Sequence, residues 1–156
     1  MTSILPPFPR FVMCIFEPIA TAAGFTLPFL ATELFAAEQI PGSPVEAISD
    51  NTRMLALQLG NIYLLLAMVA VAVLYSTTEP KVVRNYVIAL WLADIGHIAT
   101  TGYVMGYDKF IDLANYNPTT WGNVGLTAFL CATRTAYLLG LFGPDRKPLP
   151  ADKKGQ

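Results

Sequence analysis

Apolar positions along the chain gather into four long runs separated by short polar stretches. The runs cover about residues 11–37, 54–75, 82–107 and 119–142, and each exceeds the roughly 18 residues that a membrane-crossing helix needs. Hydrocarbon offers no partner to backbone N–H and C=O groups, so such runs predict helices rather than open strands. The first, FVMCIFEPIATAAGFTLPFLATELFAA, carries Pro18 and Pro28. Each proline removes an intrahelical donor, so a kinked first helix is expected. Part of the second run, LLLAMVAVAVLY, is apolar all round. Capping signals agree with these limits: Asn51-Thr52 ahead of the second run, Asn117-Pro118-Thr119 ahead of the fourth, and Gly143-Pro144 after it. The expected fold is all-α, a four-helix transmembrane bundle forming a single integral membrane domain over residues 1–156.

Composition supports this reading. Of the 156 residues 54% are apolar and only 13% charged, with a mean hydropathy of +0.48. A soluble domain carries about 25% charged residues, roughly twice as many. The apolar content excludes intrinsic disorder. Ten Lys+Arg against eleven Asp+Glu leave a net charge of -1, which excludes a phosphate-tracking nucleic-acid binder. Cys14 and Cys131 sit inside apolar runs and form no metal-ligand or disulfide spacing, so no metal and no cofactor is expected. Arg10, Lys81, Arg84, Arg146, Lys147, Lys153 and Lys154 fall on one side of the four spans. The other side holds only Arg53 and Lys109, with Glu38, Glu46, Asp50, Asp108 and Asp112. This asymmetry places both termini in the cytoplasm. Arg10 and Ala36-Ala37 mimic a signal peptide, but the run is too long and contains Glu17, so a retained span is expected. The endoplasmic reticulum is the expected membrane, although the terminal Lys-Lys-Gly-Gln departs from the usual dilysine spacing.

Four ionisable residues lie well inside the spans: Glu17, Asp94, His97 and Arg134. Such a side chain costs about 2.5–3.5 kcal/mol on insertion scales, so each should turn inward and find a partner. Counting at 1.5 Å per residue puts Glu17 and Arg134 at similar depths, about 10 Å or somewhat more from the same side. They form either a clamp between first and last helices or a carboxylate whose ionisation Arg134 sets. Asp94 and His97 are three apart in LADIGHIATTGY and share a helix face. The structural reading has His97 satisfied by Asp94 or a backbone carbonyl. The chemical reading makes the pair an acid and a base working near neutral pH, where histidine titrates. Gln58, Asn61 and Tyr63 on the second span, with Trp121, Asn123 and Thr127 on the fourth, add polar groups at overlapping depths. Each alone reads as packing, with Gly60, Gly122 and Gly125 allowing close approach, or for Trp121 as the interfacial aromatic belt. Together they suggest an apolar cavity with a few polar groups, the usual form of a small-molecule site. Small-xxx-small spacing around Gly122 also allows homodimerisation.

The strings LQLGNIYLLL, ALWLADIGHI and WGN, followed by RTAYLLGLFG, resemble a family of small four-span fungal membrane proteins. Their genes lie beside polyketide and terpenoid biosynthetic genes, and some members are assigned as epoxide hydrolases. The resemblance covers about residues 8–143. It implies opening of an epoxide by water or an internal hydroxyl, with Gln58, Asn61, Asp94, His97, Trp121, Asn123 and Arg134 as the matching polar positions. Epoxide opening needs a proton for the departing oxygen and a base for the attacking hydroxyl. On this reading Asp94 and His97 form the acid/base pair, and Glu17 is a second carboxylate, clamped by Arg134 or opposing as a base. Gln58, Asn61 and Tyr63 hold the epoxide oxygen or the water, and Asn123 and Arg134 also line the substrate site. Trp121 stacks on a conjugated substrate. The expected partners are a lipophilic small molecule and membrane lipid. The alternatives are a membrane isomerase or terpene cyclase with the same inventory, a non-catalytic binding module, and an assembly protein.

Overall fold

The computed structural model describes Ser3–Arg146, so the tail lysines Lys147, Lys153 and Lys154 lie outside the described residues. Every regular element among these residues is helical. Helix α1 spans Pro7–Leu30 and, after a break at Ala31, is followed by α2 (Thr32–Ala37). Two long helices come next, α3 (Asp50–Ser76) and α4 (Pro80–Met105), then the short α5 (Tyr107–Ile111). Last is α6, residues 118–138, in which a π-helical stretch, Trp121–Leu126, joins two α-helical pieces. By length and apolarity α1, α3 and α4 can each cross a membrane. The fourth run forms a helix of spanning length, but Asn123, Arg134 and five threonines dilute its apolar character.

Local chemistry explains the element limits. Ser49, rather than Asn51, caps α3 by accepting the N–H of Thr52 at 3.1 Å, so the helix starts one turn before the apolar run. Asn117 caps α6 as its spacing predicts, accepting the N–H of Thr120 at 2.7 Å. Pro18 shapes α1. In an α-helix the carbonyl of Cys14 would accept the N–H of residue 18, which proline lacks. The turn just before it is instead π-helical, over Val12–Phe16, and the Tyr75 hydroxyl donates to the Cys14 carbonyl at 2.9 Å. Thus a side chain from α3 fills the gap that Pro18 leaves in α1. The break at Ala31, three residues past Pro28, separates α1 from α2 rather than continuing the helix to residue 37.

The helices pack as two pairs. α3 turns Ala56, Gly60, Ala67, Ala70 and Leu74 inward, and the alanines and glycine among them let α1 approach along most of its length. At Gly60 the contact leaves little room for a side chain: a Cβ there would lie 3.0 Å from both Pro28 and Phe29. α4 and α6 form the second pair, in which the Trp91 indole donates to Thr135 Oγ1 at 2.9 Å. By contrast α3 and α4 touch only lightly. At one end the pairs meet in a cluster of Leu5, Met13, Leu74, Val83, Val87 and Tyr137. At the other, Asn117 donates to the Glu38 carbonyl at 3.0 Å and Thr119 to the Glu38 carboxylate at 2.5 Å. Asn123 adds a bond to Gln39 at 2.9 Å, so the start of α6 is tied to the chain leaving α2. Large apolar side chains such as Ile19, Leu30, Leu55 and Leu92 are exposed around the outside, a surface suited to acyl chains rather than water.

Candidate functional site

Three charged side chains from three helices converge between the two pairs. Glu17 opens the regular part of α1 immediately after the π-turn. Asp94 lies near the middle of α4, in line with buried Val83 and Val87. Arg134 lies on the buried face of α6 with Leu130, Thr133 and Tyr137. Arg134 donates through Nη1 to Asp94 Oδ2 at 2.6 Å and through Nη2 to Glu17 Oε1. The two carboxylates therefore stand side by side on one guanidinium, whose planar fork suits such pairing. The Arg134 side chain is sealed at 1% exposure, while Glu17 and Asp94 keep 11% and 12%. Glu17 Oε2 and Arg134 Nε are buried without a hydrogen-bond partner among the described residues. The group thus has one enclosed cation, two carboxylates that are nearly as well covered, and a buried carboxylate oxygen without a bond.

The depth count brings Glu17 and Arg134 together, and the structure joins them. Asp94 does not follow its local spacing. No hydrogen bond links it to His97 among the described residues; its bond goes to Arg134. The physical reason is that a fixed cation from a facing helix offers a charge-assisted bond, stronger than one to a neutral imidazole on the same helix. His97 lies one turn along α4, half-buried.

The remaining expected residues lie elsewhere. Gln58 and Asn61 are exposed on α3, turned away from its buried face. Tyr63 is half-buried beside Gly24, its ring 3.5 Å from where a Cβ would stand there. Trp121 is exposed, edge-on to Tyr116 with centroids 5.4 Å apart, and lies over Gly125, where a Cβ would come within 2.4 Å of its ring. Asn123 is engaged by Gln39. Among the described residues no polar contact joins Gln58, Asn61, Tyr63, Trp121 or Asn123 to the carboxylate–arginine group. Spacing also gave no sign of the Tyr75 bond to Cys14 or of Glu38 and Gln39 as partners of α6. For Tyr75 a signal existed, since Pro18 orphans a carbonyl at a known position; only its donor was unspecified.

Two surface grooves stand out among the described residues. The larger, about 450 Å³, runs between α1 and α3 and is lined by Pro18, Ile19, Ala22, Ala67, Met68 and their neighbours on α3. It begins one residue from Glu17. The smaller, about 210 Å³, is lined by Pro7, Arg10, Phe11, Ile15 and Arg146. Among the described residues no three His, Cys, Asp or Glu side chains gather as a metal site. Outside the long helices, Glu33 on α2 pairs with Arg53, and its carboxyl is held below the usual range by a backbone hydrogen bond and then by that guanidinium.

Residues 2–144 match a family described as a domain of unknown function (DUF7704), and the chain belongs to that family. No curated protein and no solved structure matches it.

Proposed function

We propose that the chain is a membrane-embedded acid/base enzyme that opens an epoxide of a lipophilic polyketide or terpenoid, with water or an internal hydroxyl as the nucleophile. The observation that carries this reading is the pair of carboxylates, Glu17 and Asp94, on the single guanidinium of Arg134. Arg134 stays charged under all ordinary conditions. One proton shared by the two carboxyls makes the group electrically neutral, which a low-dielectric interior favours. Such a set holds one acid and one base at the same place, which epoxide opening needs.

The step balances without further groups. The ionised carboxylate takes a proton from the attacking hydroxyl, whose oxygen bonds to a ring carbon. The ring C–O bond breaks, and its oxygen takes the proton of the other carboxyl. The group again holds one proton, now on the opposite residue. Water gives a vicinal diol, and an internal hydroxyl gives a cyclic ether. Asp94 is the better candidate for contact with substrate, because its Oδ2 alone is held by Arg134 whereas the free oxygen of Glu17, Oε2, is buried. His97, one turn from Asp94, returns the proton between turnovers in this reading. In this reading α6 is the fourth span, about 30 Å long at 1.5 Å per residue, and both termini face the cytoplasm of an endoplasmic reticulum membrane.

A second reading makes the same group a structural clamp. It is favoured by the near-complete sealing of Arg134 and by its position joining the two helix pairs. One experiment separates them. Microsomes containing the chain are supplied with polyene and isoprenoid epoxides, and products are followed by mass. Gain of one water marks hydrolysis, and an unchanged mass with a new retention time marks cyclisation or isomerisation. Glu17→Gln and Asp94→Asn, which keep shape and one acceptor oxygen each, are expected to abolish turnover in correctly assembled protein. Full turnover in both variants refutes the enzymatic reading, and no product from any epoxide leaves the clamp.

A further inference from the structure

Helix α3 has two opposite faces of different character. Ala56, Gly60, Ala67, Ala70 and Leu74 are buried on the α1 side. On the far side Met54, Gln58, Asn61, Leu65, Met68 and Ala72 are all exposed. Their spacing alternates four and three, the pattern of a heptad seam, and at about 100° per residue they form one stripe. Two amides in this stripe do not belong against acyl chains. Gln58 and Asn61 lie roughly 12–18 Å along a helix long and apolar enough to cross a membrane. Neither amide has a hydrogen-bond partner among the described residues. A polar group left without partners in hydrocarbon is strongly disfavoured.

We infer that this face is a homodimer interface, with α3 packed against α3 of a second copy and Gln58 and Asn61 hydrogen-bonded across it. Three points identify the occupant as another copy of this chain. Copies of a membrane protein insert with one topology, so a two-fold axis along the membrane normal brings each residue to its own equivalent at the same depth. An amide carries donors and an acceptor, so it complements itself. The rest of the seam is apolar and adaptable, with Met54, Leu65 and Met68, and narrows to Ala72, where two helices can close together. An amide in an otherwise apolar seam also fixes register, as it does in two-stranded coiled coils. The contact uses α3 rather than the glycines near Gly122. At Met68 and Ala72 the seam borders the groove beside Pro18, but its amides lie on the exposed face of α3 and the contact does not depend on the proposed chemistry.

The test uses the full-length protein reconstituted at low density in phosphatidylcholine bilayers, with subunits counted by single-molecule photobleaching. The native chain is expected to dimerise. Gln58→Leu with Asn61→Leu is expected to raise the dissociation constant roughly 3–20-fold, the range for polar contacts between membrane helices. Leu92→Met, on the exposed face of α4, should leave it unchanged. A second measurement places cysteine at Leu65 or, as control, at Leu92, with Cys14 and Cys131 replaced by serine. Oxidation should cross-link Leu65→Cys between copies and spare Leu92→Cys. A monomeric native chain, an amide-free variant that associates as tightly as the native one, or equal cross-linking at both positions overturns the inference.

Discussion

Replacing Arg134 by Met leaves two carboxylates facing each other between helices. Removal of one partner from a buried ion pair costs about 3–5 kcal/mol, because the remaining charge has neither water nor a counterion. Here one guanidinium serves both Glu17 and Asp94, so the single substitution strands both carboxyls, one of them ionised, and about 3–5 kcal/mol is the expected loss. The two losses need not add, since they share a partner. The triple variant Glu17→Gln, Asp94→Asn, Arg134→Met removes every charge while keeping nearly the same volume. Replacement of a whole buried ionic group by apolar side chains is often neutral or stabilising, and here it leaves two amides but no unpaired charge, so this variant is expected to be more stable than Arg134→Met. Stability is read by reversible unfolding in mixed detergent micelles, followed by the fluorescence of Trp91 and Trp121. Trp91 reports the α4–α6 contact through its bond to Thr135, and Trp121 reports the far end of α6. A loss below about 1 kcal/mol for Arg134→Met, or a triple variant no more stable than the single one, refutes the buried charge group.

Three further outcomes follow from the packing and the caps. Tyr75→Phe leaves the Cys14 carbonyl without its donor and should cost about 1–3 kcal/mol in the same unfolding assay. The cost should shrink in a Pro18→Ala background, where residue 18 regains an N–H; equal penalties in both backgrounds would refute the assignment. Gly60→Ala must push Pro28 and Phe29 aside and should destabilise by about 1–3 kcal/mol. Gly96→Ala, exposed on α4 with nothing near, should be neutral or stabilise by up to about 1 kcal/mol, and the reverse order would be inconsistent with the α1–α3 contact. The Glu33 carboxyl titrates below its unfolded value, so its contribution is complete above the ordinary glutamate range and fades as pH falls through the lowered folded value. The unfolding midpoint of the native chain should therefore exceed that of Glu33→Gln near pH 6 and converge with it in acid; a constant difference across that range argues against the Arg53 pairing.

Depth along the membrane normal was legible in the residues, and rotation about each helix axis was not. Counting from the ends of apolar runs brings Glu17 and Arg134 to one level because helical rise is fixed. The prolines mark the irregular places in α1, and Asn117 marks the start of α6. Rotation leaves a trace only where a helix has a polar face, and α3 is apolar nearly all round. Its residues therefore do not reveal that Gly60 faces α1 while Gln58 and Asn61 face outward. Asp94 illustrates the same limit. Local spacing offers it His97, three residues away, but its partner is Arg134, forty residues later, on a helix whose rotation no local pattern records.

The count of charges then separates the two readings of the central group. A clamp between helix pairs needs one carboxylate for one arginine, or none, since apolar side chains of similar volume would hold the helices as well. The chain places two carboxylates on Arg134, which leaves the group one proton away from neutrality and the buried Glu17 Oε2 without a bond. As a clamp that arrangement is worse than a simple pair. As a device that must give a proton to one oxygen and take one from another, it is the smallest set that works. The decisive comparison is therefore the triple neutral variant. If it folds as the native chain does and still turns over an epoxide, the charges at Glu17, Asp94 and Arg134 serve neither purpose. If it folds and turnover is lost, and Glu17→Gln and Asp94→Asn each lose it too, the second carboxylate has its explanation.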